Sequence, residues 1–149
     1  MGAASMARFL EHSRSSYVAD LVASGVDRSE AERLGADQRA EAFPDGQPAG
    51  GHLVMEVIAD AEVCGHLWIG PRAAGDVTHW WVWDIEIAEA FRGRGVGRWV
   101  LQMAEGCARQ GGADEIGLTV FADNAAARRL YDDLGYREVS LRLRKALRS

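Results

Sequence analysis

The chemistry-bearing residues crowd into one stretch, Asp84-Ile85-Glu86-Ile87-Ala88-Glu89-Ala90-Phe91-Arg92-Gly93-Arg94-Gly95-Val96-Gly97-Arg98-Trp99. It reads as a strand, a sharp glycine-rich turn and the start of a helix. Asp84 and Glu86 are two apart, so on a regular strand they share a face, and either carboxylate can take a proton directly or through water. Gly93, Gly95 and Gly97 remove Cβ atoms where the backbone must bend and where a ligand must come close. The turn feeds a helix N-terminus, whose first N–H groups lack intrahelical partners. Those donors and the helix dipole favour an anion, phosphate above all. Arg92, Arg94 and Arg98 add positive charge around the same turn. The expectation is a pyrophosphate cradle. A Walker loop is excluded because the Gly-Lys-Ser/Thr ending is missing. The dinucleotide fingerprint is excluded because the glycines fall at alternate positions with no acidic ribose partner about 20 residues downstream. What the stretch fits is Arg-x-x-Gly-x-Gly between a strand and a helix.

Periodicity supplies the elements that must position this turn. Leu10, Tyr17, Val18 and Leu21 recur at helical spacing over about Ala7 to Ala23, with Gly25 beyond as a C-terminal stop. Asp27 with Glu30 begins a second helix, to about Ala42, whose thin apolar stripe suggests a surface helix or a lid. Phe43 to Gly51 is a loop by composition. The period then changes. Leu53 to Ala59 and Glu62 to Ile69 form a hairpin about Asp60-Ala61, and Val77 to Ile87 is a long strand running into the glycine turn. Val96 to Gln110 is a helix ended by Gly111-Gly112. Glu115 to Phe121 is a buried strand. Asp123 caps a helix from Asn124 to about Leu134, and Tyr136 to Leu143 is a last strand. Short strand–helix connections in the second half argue an α/β fold: a mixed, mostly antiparallel sheet with helices on its faces.

The totals bound the function class. A chain of 149 residues, 48% hydrophobic and 26% charged, suits one domain with a full core: a two-helix segment and loop over 1–51, then a sheet core over 52–144. A net charge of −5 gives no general basic footprint, so nucleic acid is not an expected partner. No apolar run reaches the ~20 residues of a membrane span, and no signal-peptide pattern opens the chain. Cys64 and Cys107 lack CxxC spacing and partnered histidines, so no metal site is expected, and both read as reduced core residues of a cytoplasmic protein.

A second motif narrows the ligand. Asn124-Ala125-Ala126-Ala127-Arg128-Arg129-Leu130-Tyr131-Asp132-Asp133-Leu134-Gly135-Tyr136 follows the turn. With both motifs in hand, Leu53 to Leu143 resembles the GCN5-related N-acetyltransferase (GNAT) superfamily, among it uncharacterised bacterial members with a two-helix N-terminal segment. The resemblance implies that Arg92, Gly93, Arg94, Gly95, Val96 and Gly97 bind the pyrophosphate of acetyl-coenzyme A, with Arg98 beside them. It implies that the strand end, Ile85 to Ile87, pairs its backbone with the pantetheine arm. Asn124 matches an asparagine that contacts coenzyme A, and Tyr131 a tyrosine placed beside the thioester sulfur as general acid. The lesser alternatives are that Asn124 only starts a helix and that Tyr131 only packs under a sheet. The implied fold is the GNAT fold, its sheet flanked by about four helices. The implied activity moves an acetyl group from acetyl-CoA to a primary amine of a small molecule or peptide, by direct attack in a ternary complex. A non-catalytic acyl-CoA-binding module is the alternative, and a nucleotide-binding module a distant third.

Other residues remain open at this level. Trp80, Trp81 and Trp83 alternate faces, so some belong to the core while others can wall an acceptor cleft. His79 is a weaker candidate for the base, and His12, His52 and His66 have no motif around them. Family members often carry a strand bulge near the two carboxylates, which would change which side chains share a face. The superfamily usually opens with a strand, whereas this chain enters a helix almost at once. A sheet edge left uncovered would invite pairing with a second copy, a homodimer.

Overall fold

The computed structural model describes residues 1–148. They form two compact units, Met1–Thr119 and a second beginning at Val120.

The first unit holds three helices and four strands. Helix α1 spans Ala3–Ala23, α2 Arg28–Ala42 and α3 Val96–Gln110; the strands are β1 Leu53–Ala59, β2 Glu62–Pro71, β3 His79–Ile87 and β4 Glu115–Leu118. The sheet order is β1-β2-β3-β4. The first two pairings are antiparallel, and β3–β4 is parallel. The expected α/β architecture with a mixed, mostly antiparallel sheet is the one observed, and β1 and α3 match their expected bounds.

Each face of the sheet is covered for a readable reason. On one face α1 buries Met6, Phe9, Ser13 and Val18 at helical spacing. Met6, Phe9, Ala42, Phe43 and Trp68 make one buried cluster there, with Leu10, Val54 and Trp83 packed around it. Phe43, expected in a loop, is only 4% exposed. Helix α2 packs on α1 through small residues. Ala31 is fully buried, and a Cβ on Gly35 would stand 3.1 Å from Val18 Cγ2. The thin apolar stripe of α2 therefore marks a close helix–helix approach. Asp27 caps α2 by accepting from the Ser29 N–H at 3.1 Å, and Gly25 takes φ 99° past the end of α1, as expected. On the other face α3 buries Val100, Leu101, Ala104 and Ala108. Its end approaches so closely that a Cβ on Gly111 would collide with the Trp80 ring.

The second unit holds α4, Ala125–Asp133, closed by Gly135 at φ 92°. Three expectations fail toward this end of the chain. The cap is Asn124 rather than Asp123: its Oδ1 accepts from the Ala127 N–H at 3.2 Å. The strand expected over Tyr136 to Leu143 does not form, and β4 stops at Leu118 instead of Phe121. Val139, Leu141 and Leu143 alternate as in a strand yet are 94%, 70% and 88% exposed. A strand exists only through its ladder, and the described residues of this unit contain no second strand to pair with. No helix among the described residues is long and apolar enough to cross a membrane.

Candidate active site

The site is built around a defect in β3. The β2–β3 register runs Trp68↔Asp84 and then Ile69↔Val82, so Trp83 has no opposite residue and forms a bulge. Cross-strand partners share a face, and Trp68 meets Phe9 of α1. Asp84 and Glu86 therefore lie on the α1 face, while Trp80 and Val82 stay buried on the α3 face. The two carboxylates share a face as expected, but without the bulge it would have been the opposite one.

On that face each carboxylate meets α1. The Ser13 hydroxyl donates to Asp84 Oδ2 at 2.6 Å. His66 Nε2, from β2, lies 2.9 Å from the same oxygen. His12 Nε2 spans both oxygens of Glu86 at 3.0 and 2.9 Å. The His12 and His66 rings meet edge to face with centroids 6.0 Å apart, and Phe9 stands edge-on to His66 at 5.0 Å. The side chains of Asp84 and His66 are 21% and 12% exposed, against 39% for Glu86 and 53% for His12. Asp84 is thus enclosed and doubly bonded, whereas the Glu86–His12 pair is open to an incoming molecule.

Two edges prepare for a ligand. The β3–β4 ladder ends at Val82↔Leu118, so β3 runs on through Ile85 and Ile87 with β2 as its one partner within this unit. Peptide groups on the free edge can pair with an extended amide-bearing chain. At the end of the strand the Arg92 Nε–H donates to the Ile87 carbonyl at 2.8 Å and ties turn to strand. Gly93 and Gly95 take φ 76° and 79°, the left-handed region, and a Cβ at either would meet no atom within 4 Å. Gly95 is the N-cap of α3, with no side chain bonded there, and the first helical bond is Trp99 N–H to the Gly95 carbonyl at 3.1 Å. The N–H groups of Val96, Gly97 and Arg98 precede it and point out of the helix start. Arg94 bonds Asp60 at 3.1 Å while lying over the Phe91 ring at 5.3 Å. Open space, glycine backbone and a helix start without a side-chain cap are features that suit an anion.

The model of the Acetyltransferase (GNAT) family matches residues 9–136. The chain belongs to this family. It is 32% identical over 106 residues to the uncharacterized N-acetyltransferase YdgE of Bacillus subtilis, covering 70% of this chain and 68% of that one. It is 27% identical to the uncharacterized N-acetyltransferase YycN of the same organism, covering 93% and 90%. The crystal structure of YycN superposes with a TM-score of 0.87 over 100% of this chain and 96% of that one, at 24% identity. The aminoglycoside acetyltransferase AAC(6')-Iy, in complex with the bisubstrate analog CoA-S-monomethyl-acetylneamine, shares the fold. Its TM-score is 0.58 at 16% identity, over 95% and 93% of the two chains. The GNAT fold and an N-acetyltransferase enzyme are therefore established for this chain.

Within this GNAT framework the remaining candidates fall as follows. Trp80 is core, Trp83 stacks on Trp68 at 5.6 Å in the α1-side aromatic cluster, and Trp81 carries the Arg72 guanidinium at 4.7 Å. His79 bonds Asp76 at 2.9 Å and is half exposed, away from both carboxylates in the β3 register. His52 accepts from the Trp68 indole N–H at 3.0 Å, and burial holds its pKa below the ordinary histidine value. In the second unit the Asn124 oxygen is engaged in capping, and the Tyr131 and Tyr136 rings meet edge to face at 5.8 Å. Cys64 is buried, and Cys107 lies on α3. Among the described residues no group of His, Cys, Asp and Glu could hold a metal ion.

His12, Ser13 and His66 carry site geometry that residue patterns did not reveal. Ser13 offered one signal, a hydroxyl inside the buried stripe of α1. His12 and His66 lie 74 and 20 residues from Glu86 in sequence, without any local motif.

Proposed function

We propose that this protein transfers an acetyl group from acetyl-CoA to a primary amine of a small molecule or peptide, by direct attack within a ternary complex. The observation that carries this reading is one continuous device: a strand edge that, among the described residues, has no ladder partner past Val82, leading into a helix start without a side-chain cap behind Gly93 and Gly95. The backbone of Ile85 and Ile87 pairs with the pantetheine amides. The N–H groups from Gly93 to Gly97 hold the pyrophosphate, with Arg92, Arg94 and Arg98 supplying charge. The CoA-linked analog bound to AAC(6')-Iy, a protein of the same fold, supports coenzyme A as the donor.

Transfer needs a neutral amine, a polarised carbonyl and a proton for the departing thiolate. Backbone N–H groups polarise the carbonyl as its oxygen gains charge. Glu86 takes the proton from the amine, since it is the more exposed of the two carboxylates. Asp84, bonded by Ser13 and His66, orients the α1 face and adds negative charge that favours a cationic amine. On the match of its motif, Tyr131 donates to the sulfur and Asn124 contacts coenzyme A. Positioning supplies much of the remaining acceleration.

The test mixes the protein with acetyl-CoA and spermidine, lysine, kanamycin or a short peptide with a free N-terminus, and follows thiol release. Turnover that rises with one acceptor and falls in Tyr131→Phe agrees with the mechanism. Full turnover in that variant removes Tyr131 from its role. Thermal stabilisation by acetyl-CoA without turnover on any amine would instead identify a binding module.

A further inference from the structure

We propose that His12 carries the amine's proton from Glu86 to solvent, so that α1 supplies a working residue to the transfer chemistry. This rests on the acetyl-transfer reading above. His12 Nε2 lies within 3.0 Å of both Glu86 oxygens, and the ring is half exposed. One ring nitrogen thus faces the base while the imidazole edge reaches water. A carboxylate that has taken a proton inside a loaded site must release it before the next turnover, and an imidazole passes a proton in at one nitrogen and out at the other.

The step balances as follows. The amine nitrogen attacks the thioester carbon, the N–C bond forms, and the C–S bond breaks with its electron pair going to sulfur. The nitrogen gives its proton to Glu86, Glu86 passes it to the bare Nε2 of His12 in its Nδ1–H tautomer, and the Nδ1–H is lost to water; the exposed ring then gives its Nε2 proton to water and takes one back at Nδ1, restoring the starting tautomer. The thiolate takes one proton from its donor, and an ammonium substrate sheds its first proton along the same route. The other groups facing the pair fit this use. His66 from β2 stands edge-on to His12, and Asp84 from β3 is occupied by Ser13 and His66. On α1 itself Glu11 is engaged by Arg14 at 2.7 Å. Glu86 thus has one histidine partner with a path outward, and Asp84 has another that is enclosed.

A structural role and a relay role differ in what replaces His12. Gln keeps a polar amide against the carboxylate but cannot pass a proton. The experiment measures kcat and KM for acetyl-CoA in wild type, His12→Ala and His12→Gln with whichever of spermidine, lysine, kanamycin or the peptide turns over. It is repeated with added imidazole. Stabilisation by CoA in a melting assay reports that each variant is folded. The relay predicts a fall in kcat of about ten- to a hundredfold in both variants with KM for acetyl-CoA unchanged. It also predicts partial recovery of His12→Ala by imidazole, and no further loss when His12→Ala is added to Glu86→Gln. A wild-type kcat in His12→Gln, or no response of a folded His12→Ala to imidazole, overturns the relay while leaving the acetyl-transfer reading intact. A wild type that turns over no amine overturns both.

Discussion

Gly95→Ala separates backbone strain from ligand binding, because the fold contains its own control. Gly95 has φ 79° and Gly75, in the loop between β2 and β3, has φ 80°; a Cβ at either position meets no atom within 4 Å. An alanine at each must therefore adopt the same left-handed conformation with no added clash. That conformation costs an L-residue roughly 1–2 kcal/mol. The stiffer unfolded chain of an alanine variant offsets about 0.4–1 kcal/mol of this. A net loss near 1 kcal/mol lowers the melting temperature of a chain this size by about 2–4 °C, and by similar amounts for the two variants. Only Gly95 stands in the proposed cradle. Its Cβ would occupy the open space a phosphate must enter and hold it off the first N–H groups of α3. A hydrogen bond to a charged group contributes about 1.5–3 kcal/mol, and 1.4 kcal/mol is tenfold in affinity. Titration calorimetry with CoA should find Gly75→Ala at wild-type affinity and Gly95→Ala weakened roughly tenfold or more. Equal CoA affinity in two variants with equal melting shifts would refute the cradle at Gly93 to Gly97.

Other consequences follow from the same geometry. Gly65→Ala should be more damaging than either turn glycine, because its Cβ would collide with the Glu86 carbonyl. A urea titration should show a loss of roughly 1–3 kcal/mol, the usual range for overpacking. Ser13→Ala removes the hydroxyl that donates to the Asp84 carboxylate at 2.6 Å, which should cost about 1.5–3 kcal/mol in the same assay. Burial holds the pKa of His52 below the ordinary histidine value in the fold, where it accepts from Trp68. Its folded pKa lies below the unfolded value, so the unfolded chain binds the extra proton first. Its contribution is complete above the ordinary histidine range, near pH 6.5, and declines as pH falls through it. Melting curves between pH 7.5 and 5 should therefore fall less steeply in His52→Gln than in wild type, and identical slopes would remove His52 as the source.

Much of the fold was legible because it is local. Strand β1, the hairpin turn, α3 and the stop at Gly111 rest on side-chain period and on glycine, which act within a few residues, whereas β2 runs two residues past its expected end at Ile69. Helix α2 was harder, since a thin apolar stripe fits both a surface helix and a tight contact, and only the approach of Val18 to Gly35 separates them. The alternation in Val139, Leu141 and Leu143 announced a strand, but alternation specifies a face and not a partner. The described backbone there has no ladder.

The cradle belongs to the sequence. Alternate glycines after a strand and before a helix permit the left-handed turns seen at Gly93 and Gly95, while Gly97 falls inside α3, and the missing Cβ atoms and unmade helical bonds there are local properties of the chain. The face that carries the two candidate carboxylates belongs to the tertiary structure. One unpaired residue, Trp83, turns Asp84 and Glu86 toward α1, and the register that places it depends on β2. The partners waiting there, Ser13 and His12, come from 71 and 74 residues away. Side-chain pattern carries no information about contacts at that separation; only packing α1 across the sheet brings the imidazole to the carboxylate.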